Sequence, residues 1–375
     1  MIEIAKTRAW VYEPFGTDVA RTLQRLAAID DIEHIAVMPD VHLAHDICIG
    51  TVVAARDYLY PQAVGNDIGC GMSAICLGDI DAKKFEKKVV VVYRLLAELV
   101  PVIKHRPEFA ELPEELAGLQ LSDEKLEKLK LRDGKFEFCT IGRGNHFLEL
   151  QRDDDQRLWL AVHTGSRGIG QAIARFHIDR TGENPTKIRA IATNSEAGSD
   201  YLNDVRWAKL YARLSRRAII DLVAGALGQV WDLRVDEQSR IECDHNHVQN
   251  EQHFGRSYWV HRKGAIHATQ GMRAIIPGSM DSATYHVEGR GLAAALSSAS
   301  HGAGRTMSRS EARQRISLRK FRESMAGIHY DITKEHMLRD EAVAAYKPIS
   351  KVMQAQSELV KIIRVLRPVL SFKGV

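Results

Sequence analysis

Short apolar runs rich in β-branched residues recur along the whole chain, each bounded by Gly, Pro or Asp, with no low-complexity linker and no solenoid- or propeller-length repeat between them. Read as strands, they cover residues 34–38, 47–55, 136–141, 158–163, 258–261, 274–276 and 284–287. Helical periodicity falls between them: residues 82–99 after a capping Asp81, 123–131 after Ser122, 169–179, 201–227 stopped by Gly228, and 350–367 stopped by Pro368, which leaves a short tail. Strands and helices do not alternate regularly, and Gly142-Arg143-Gly144 runs into another apparent strand at 145–149 rather than a helix, so a Rossmann unit is excluded. The expectation is an α+β fold: one large domain over residues 1–375, with central mixed β-sheets surrounded by helices.

With 375 residues and 45% hydrophobic composition, the chain can bury a large core. No apolar run reaches membrane length and the first residues lack a signal-peptide core, so no membrane association and a cytoplasmic location are expected. Five cysteines without a Cys-x-x-Cys pair argue against a disulfide framework and a zinc ribbon. A formal net charge of +4 is too small to mark a nucleic-acid binder by itself. Local basic clusters at 213–217 and 305–322 read equally as solvated helix faces or as phosphate tracks.

Chemistry-bearing residues gather just beyond the strand ends. Asp67 and Cys70 stand three apart among Gly65, Gly69 and Gly71, where the backbone can bend to aim carboxylate and thiolate at one point. A thiolate can bridge two cations whereas an imidazole ligates one, so one Cys, one Asp and three His (His146, His163 and His245) make a sensible dinuclear set. Each histidine taken singly reads as an ordinary hydrogen-bonded residue. Their shared setting beside Gly, Asn, Ser or Asp at strand edges favours the ligand reading. Cys243 is read as buried and structural. The turn at Gly165–Gly168 is either a capped helix start or an anion site, and the Pro277-Gly278-Ser279-Met280 and Gly302-Ala303-Gly304-Arg305 runs are candidate phosphate cradles. His301, heading the second run, could be a phosphate binder, a proton carrier or a nucleophile.

Taken in order, these segments resemble the RtcB family of RNA ligases. The matching strings are Ala36-Val37-Met38-Pro39-Asp40-Val41-His42, Asp67-Ile68-Gly69-Cys70-Gly71-Met72, Gly144-Asn145-His146-Phe147, His163 with Gly165 to Gly170, and His245-Asn246 with Val248-Gln249. Arg262-Lys263-Gly264-Ala265, Pro277 to Met280, Ser300 to Arg305 and Lys373-Gly374 follow. The resemblance implies an enzyme that uses GTP and two manganese ions to join RNA ending in a 2′,3′-cyclic phosphate or 3′-phosphate to RNA with a 5′-hydroxyl, in RNA repair or tRNA splicing. It implies one metal on Asp67, Cys70 and His146, a second on Cys70, His163 and His245, and His301 as the nucleophile that becomes guanylylated. It further implies nucleotide contacts from Asn145, His146, Phe147, Leu148 and Glu149, from His245 and Asn246, from Pro277, Gly278, Ser279, Met280 and Thr284, and from His301, Gly302, Ala303, Gly304 and Lys373. Manganese rests on the resemblance, since thiolate and imidazole donors alone point to zinc.

The chain departs from the family pattern at Leu43-Ala44-His45-Asp46, where glycines are common, at Asn66 and at Asp244. The 43–46 segment is expected where the RNA 3′ end approaches the metals, tuning RNA ends. Two alternatives accompany the ligase reading: a guanylyltransferase or phosphodiesterase acting on RNA ends without efficient joining, and a non-catalytic RNA-binding paralogue.

Overall fold

The computed structural model describes residues 4–44, 46–105, 111–181 and 187–374; His45, part of the divergent 43–46 segment, lies outside them. A seven-stranded antiparallel sheet runs in the order Arg273–Pro277, Thr284–Gly289, Val360–Lys373, Phe147–Asp153, Arg157–Thr164, Gly71–Asp79, Asp236–Asp244. A five-stranded sheet runs Thr7–Ala9, Ile32–His42, Ile49–Ala55, Arg256–Lys263, Asn246–His253, with only its first pair parallel. Sheets and helices together make the architecture α+β.

Side-chain alternation along each strand decides the layering. Met72, Ala74, Trp159 and Ala161 of the larger sheet meet Ala36, Met38, Val52 and Ala54 of the smaller one in a shared apolar layer. The intervening residues Ile75, Leu77, Leu158, Leu160 and Val162 face away and pack on Val92 and Leu96 of helix Ala82–Leu99 and on Ile219 and Val223 of helix Glu196–Trp231. On the far side of the smaller sheet, Ile35, Val37, Val53 and Ala55 cover Leu23 and Leu26 of helix Thr17–Ala27. The order across these layers is helix, sheet, sheet, helix.

The helix at 82–99 forms as expected, with the Asp81 carboxylate accepting from the N–H groups of Lys83 and Lys84. The helix expected at 201–227 is longer, Glu196–Trp231; it passes through Gly228 and ends at a left-handed Asp232. The one expected at 123–131 is Glu124–Leu129, continued by a π-helical turn, Lys130–Gly134.

Two expectations fail. Residues 136–141 form no strand: helix Lys135–Glu137 leads into irregular chain in which Phe138 packs edge-on against Tyr211 and Cys139 has φ 58°, so the apolar run serves a helix interface. Residues 350–367 are not one helix. Helix Ile349–Ala355 is followed by the 14-residue strand Val360–Lys373, third from one edge of the larger sheet. Val360, Ile362, Ile363 and Val365 are β-branched, and hydrogen-bonding strands on both sides outweigh the helical periodicity. Pro368, lacking an N–H, fits where the pairing with Phe147–Asp153 shifts register.

Three strands carried little sequence signal. Gly71–Asp79 is buried on both faces over most of its length and so does not alternate. Asp236–Asp244 and Asn246–His253 are rich in polar residues.

Because Leu370 is fully buried in the 360–373 strand while Ile362 is 44% exposed, Leu370→Ala should destabilise the protein by about 2–5 kcal/mol. Ile362→Ala should stay within about 0.5 kcal/mol. Urea unfolding of the two variants checks the strand assignment; equal effects would contradict it.

Candidate metal centre and nucleotide cavity

Adjacent strands of the larger sheet end at one edge, and there they deliver their polar residues. His146 precedes strand Phe147–Asp153, His163 lies near the end of Arg157–Thr164, Cys70 precedes Gly71–Asp79, and His245 follows Asp236–Asp244. Antiparallel pairing sets Phe147 opposite His163, His163 opposite Met72, and Gly71 opposite Asp244, so four donors from distant parts of the chain converge. The N–H of His245 donates to the Cys70 carbonyl at 2.8 Å, closing the edge.

Cys70 Sγ lies 3.4 Å from His146 Nε2 and 3.3 Å from His163 Nε2, and His163 Nε2 is 3.5 Å from His245 Nε2. Asp67 Oδ2 is 2.9 Å from His146 Nε2. Two triads result, Asp67–Cys70–His146 and Cys70–His163–His245, each with its donor atoms within 4.8 Å of one another and with Cys70 common to both. A Cβ on Gly165 would fall 2.2 Å from Asp67 Oδ1, so only glycine leaves room for that carboxylate.

The donor chemistry fits a pair of cations. His163 Nδ1 is 3.1 Å from the carbonyl of Asn145, to which it can only donate, so Nε2 carries the lone pair facing Cys70 and His245. Burial, aided by neighbouring histidines, holds His163 and His245 well below the usual histidine range and keeps both imidazoles neutral. Burial and then the Asp67 carboxylate push the Cys70 thiol well up, so it needs a cation to ionise. For Asp67, burial acts upward, but the His146 hydrogen bond and charge outweigh it and bring the carboxyl down to about 2.

Beside this cluster stands His301, its ring centroid 4.8 Å from that of His245. It follows the short strand Ser298–Ser300, and its Nδ1 meets Asp40 Oδ2 at 2.6 Å. With Nδ1–H given to a carboxylate, Nε2 keeps the lone pair. Gly304 has φ 75°, and a Cβ there would lie 2.1 Å from the Asp40 carbonyl, so the glycine lets the 301–304 loop press on the Asp40 strand.

His301 lines a cavity of about 230 Å³ between the metal cluster and the 335–347 region. Of the residues expected to contact nucleotide, Asn145, Phe147, Glu149, Pro277, Gly278, Ser279, Met280, Thr284, His301, Gly302, Ala303, Gly304 and Lys373 line it. Four do not. His146 and His245 belong to the metal cluster. Leu148 points to the opposite face of its strand, into the core. Asn246 clamps the metal loop, its Nδ2 donating to the Asp67 carbonyl and its Oδ1 accepting from Gly264 N–H.

The sequence reading did not assign His42, Ile49, Arg305, Arg309, Glu341 and Tyr346 to this wall. Arg305 ends the run already singled out as a cradle; Glu341 and Tyr346 sit in no motif. Glu341 is nonetheless the electrostatic centre: its carboxylate meets Lys373 Nζ at 2.8 Å and Arg305 Nη1 at 3.2 Å, and pairs with Arg309. Burial would raise it, but Lys373 and Arg309 hold it at about 2. Glu149 is the converse: burial, only partly offset by Gln151, Lys373 and Ser371, lifts it to about 7.

A model of the RtcB family, described as tRNA-splicing ligase RtcB, matches residues 22–374. The chain belongs to the RtcB family. It is 35% identical to the RNA-splicing ligase RtcB of Escherichia coli strain K12, over 99% of this chain and 98% of that one. It is 29% identical to RNA-splicing ligase RtcB2 of another E. coli strain, covering 94% and 91%, and 28% identical to the tRNA-splicing ligase RtcB of Pyrobaculum aerophilum, covering 90% and 87%.

Against the RtcB pattern, the departures take definite places. Asp244 pairs with His247 and Lys209 outside the cavity, and Asn66 lines a separate surface groove. Asp46 does not face the cavity; it accepts from Gln62 Nε2 at 3.0 Å. Cys243 is buried, its sulfur accepting from Ile275 N–H. At the Gly165–Gly168 turn, the helix Arg167–Asp179 starts and Glu137 takes the Gly168 N–H, so a protein carboxylate fills the anion position there.

Cys70→Ser should lose more bound metal than His146→Ala, His163→Ala or His245→Ala, because only the thiolate is common to both triads. Elemental analysis of the matched proteins checks this, and equal loss in all four would exclude a bridging thiolate. Since the buried thiol must shed a proton to bind, metal affinity should rise with pH across the neutral range.

Proposed function

We propose that this chain is a GTP- and manganese-dependent RNA ligase of RNA repair or tRNA splicing, joining 2′,3′-cyclic phosphate or 3′-phosphate ends to 5′-hydroxyl ends through guanylylated His301 and an RNA(3′)pp(5′)G intermediate. The observation that carries this reading is a carboxylate-oriented histidine, His301 on Asp40 at 2.6 Å, set between a dinuclear donor set and a cavity lined by Lys373, Arg305 and Arg309. Family membership supports the same class.

The residues divide the work. His301 Nε2 attacks the α-phosphorus of GTP; the N–P bond forms as the bond to pyrophosphate breaks. The imidazole then carries positive charge, which Asp40 offsets through the Nδ1–H bond. An oxygen of the RNA 3′-phosphate displaces the imidazole from phosphorus, returning His301 to its neutral form and leaving GMP on the RNA end. The 5′-hydroxyl attacks the RNA phosphorus, GMP departs, and the hydroxyl proton passes to solvent. A cyclic phosphate is first opened by water. Two cations on Asp67, Cys70, His146, His163 and His245 would offset charge on the phosphate oxygens. Lys373, Arg305 and Arg309 add further positive charge along the cavity wall.

His301→Ala and His301→Gln should lose covalent GMP while keeping fold and metal, because only the attacking nitrogen is removed. Mass spectrometry after incubation with GTP and manganese decides; an adduct of normal yield on either variant contradicts the assignment. Assay of cyclic-phosphate RNA for joined, capped and hydrolysed products separates ligation from capping alone.

Glu149 supplies a base-recognition test. An ionised carboxylate can accept from N1–H and N2–H of guanine, donors that adenine does not present there. Glu149→Gln should therefore lower the preference for GTP over ATP in adduct formation by about tenfold or more. With the carboxyl lifted to about 7, the ionised form is lost as pH falls below that value, so GTP discrimination in the parent protein should weaken on the acid side.

A further inference from the structure

A second groove, of about 860 Å³, opens beside the His301 cavity and shares four wall residues with it: His42, Ile49, Arg305 and Arg309. The grooves at Lys125–Arg175 and at Arg206–Arg213 share no wall residue with the cavity. We propose that this groove, walled by residues 11–19, 41–43 and 305–309, seats the 3′-terminal nucleotides of the RNA and that Leu43 selects among RNA ends there. The proposal rests on the ligase reading and adds to it the path of one strand.

The groove's chemistry suits single-stranded RNA, which is held by cations along its phosphates and by apolar or aromatic faces against its bases. Leu43 is 49% exposed, and Pro14 and Phe15 lie on the same wall. Positive charge is in excess nearby. Four cations, Arg305, Arg309, Arg313 and Lys373, pair with two buried carboxylates, Asp340 and Glu341. Lys347, also on the groove wall, is held by the carbonyls of Pro39 and Val41 rather than by a carboxylate. Among the described residues, the one acidic side chain lining the groove is Glu13.

The 3′-phosphate must reach the phosphorus on His301 before the 5′-hydroxyl has anything to attack, and the groove that shares walls with the His301 cavity is therefore assigned to the 3′ strand. This also gives Leu43 a role. Of the described residues in the divergent 43–46 segment, Leu43 lines the groove, whereas Asp46 is turned to Gln62. Leu43 adds an apolar face for a base to the groove wall.

The test measures binding of a short single-stranded RNA ending in a 3′-phosphate to the manganese-loaded full chain. Leu43→Ala should weaken binding about threefold to tenfold and Leu43→Glu at least about tenfold, the second adding repulsion to lost stacking. GMP attachment to His301 from GTP alone serves as the control and should hold its yield. Phe15→Ala should act in the same direction but also loosens the adjoining core, so crosslinking with the unaltered chain complements it. RNA carrying 4-thiouridine beside the 3′-phosphate should crosslink within 11–19, 41–43 or 305–309. Parent-like binding by Leu43→Glu overturns the proposal, as do crosslinks confined to the other two grooves, or loss of the 5′-hydroxyl strand instead of the 3′ strand. Those results leave the ligase reading intact if GMP attachment and joining persist. A parent chain that neither takes up GMP nor binds RNA ends removes both.

Discussion

Arg216 ties the donor cluster together. Almost wholly buried on helix Glu196–Trp231, it donates to the carbonyls of Gly69 at 2.8 Å and Thr164 at 3.0 Å and pairs with Glu242 at 2.8 Å. One guanidinium thus joins the Asp67–Cys70 loop, the end of the His163 strand and the strand leading to His245. Its rigid fork of donors serves two carbonyls and a carboxylate at once, which a lysine could not do in the same geometry. Removing this guanidinium would leave two carbonyls and the half-buried Glu242 carboxylate without it as partner. The metal geometry and the stability of that sheet edge therefore depend on the same side chain.

Much of this site was legible in the sequence, because it is built from short polar motifs that end strands. Asp67, Cys70, His146, His163 and His245 were singled out by residue type and setting, and the structure brings them to one edge. Glu341 and Tyr346 were not legible. Their place on the cavity wall depends on the 335–347 turns folding back over Lys373, a long-range contact that no local spacing encodes. The final strand was misread for a related reason. Residues 360–367 satisfy a helical pattern, yet open ladders on Thr284–Gly289 and Phe147–Asp153 pull them into the sheet. Lys373 reaches the cavity because it ends that strand and not a loose tail.

Electrostatics divide the cavity. At one end, burial keeps the His163 and His245 imidazoles neutral and the Cys70 thiol protonated until a cation replaces the proton. At the other, the Glu341 carboxylate pairs with Arg305, Arg309 and Lys373. A buried carboxylate inside a phosphate-binding wall is not a contradiction: alone, three clustered cations would repel one another and splay. Glu341 holds them together while leaving positive charge in excess.

Two sheets meeting at one edge explain why nucleophile and donors are neighbours. The cluster is spaced by the larger sheet: Cys70 leads into the strand that lies between the His163 strand and the strand before His245, so its sulfur is common to both triads. His301 is set from the smaller sheet, through Asp40 on strand Ile32–His42. That strand's pairing with Ile49–Ala55 shifts register between Val37 and His42, and the irregular stretch includes Asp40 and opens onto the groove at Val41 to Leu43. A regular ladder would have turned successive side chains to alternate faces at fixed spacing. The irregularity instead lets one short segment hold His301 with Asp40 while its next turn lines the groove, coupling the orientation of the nucleophile to the surface beside it.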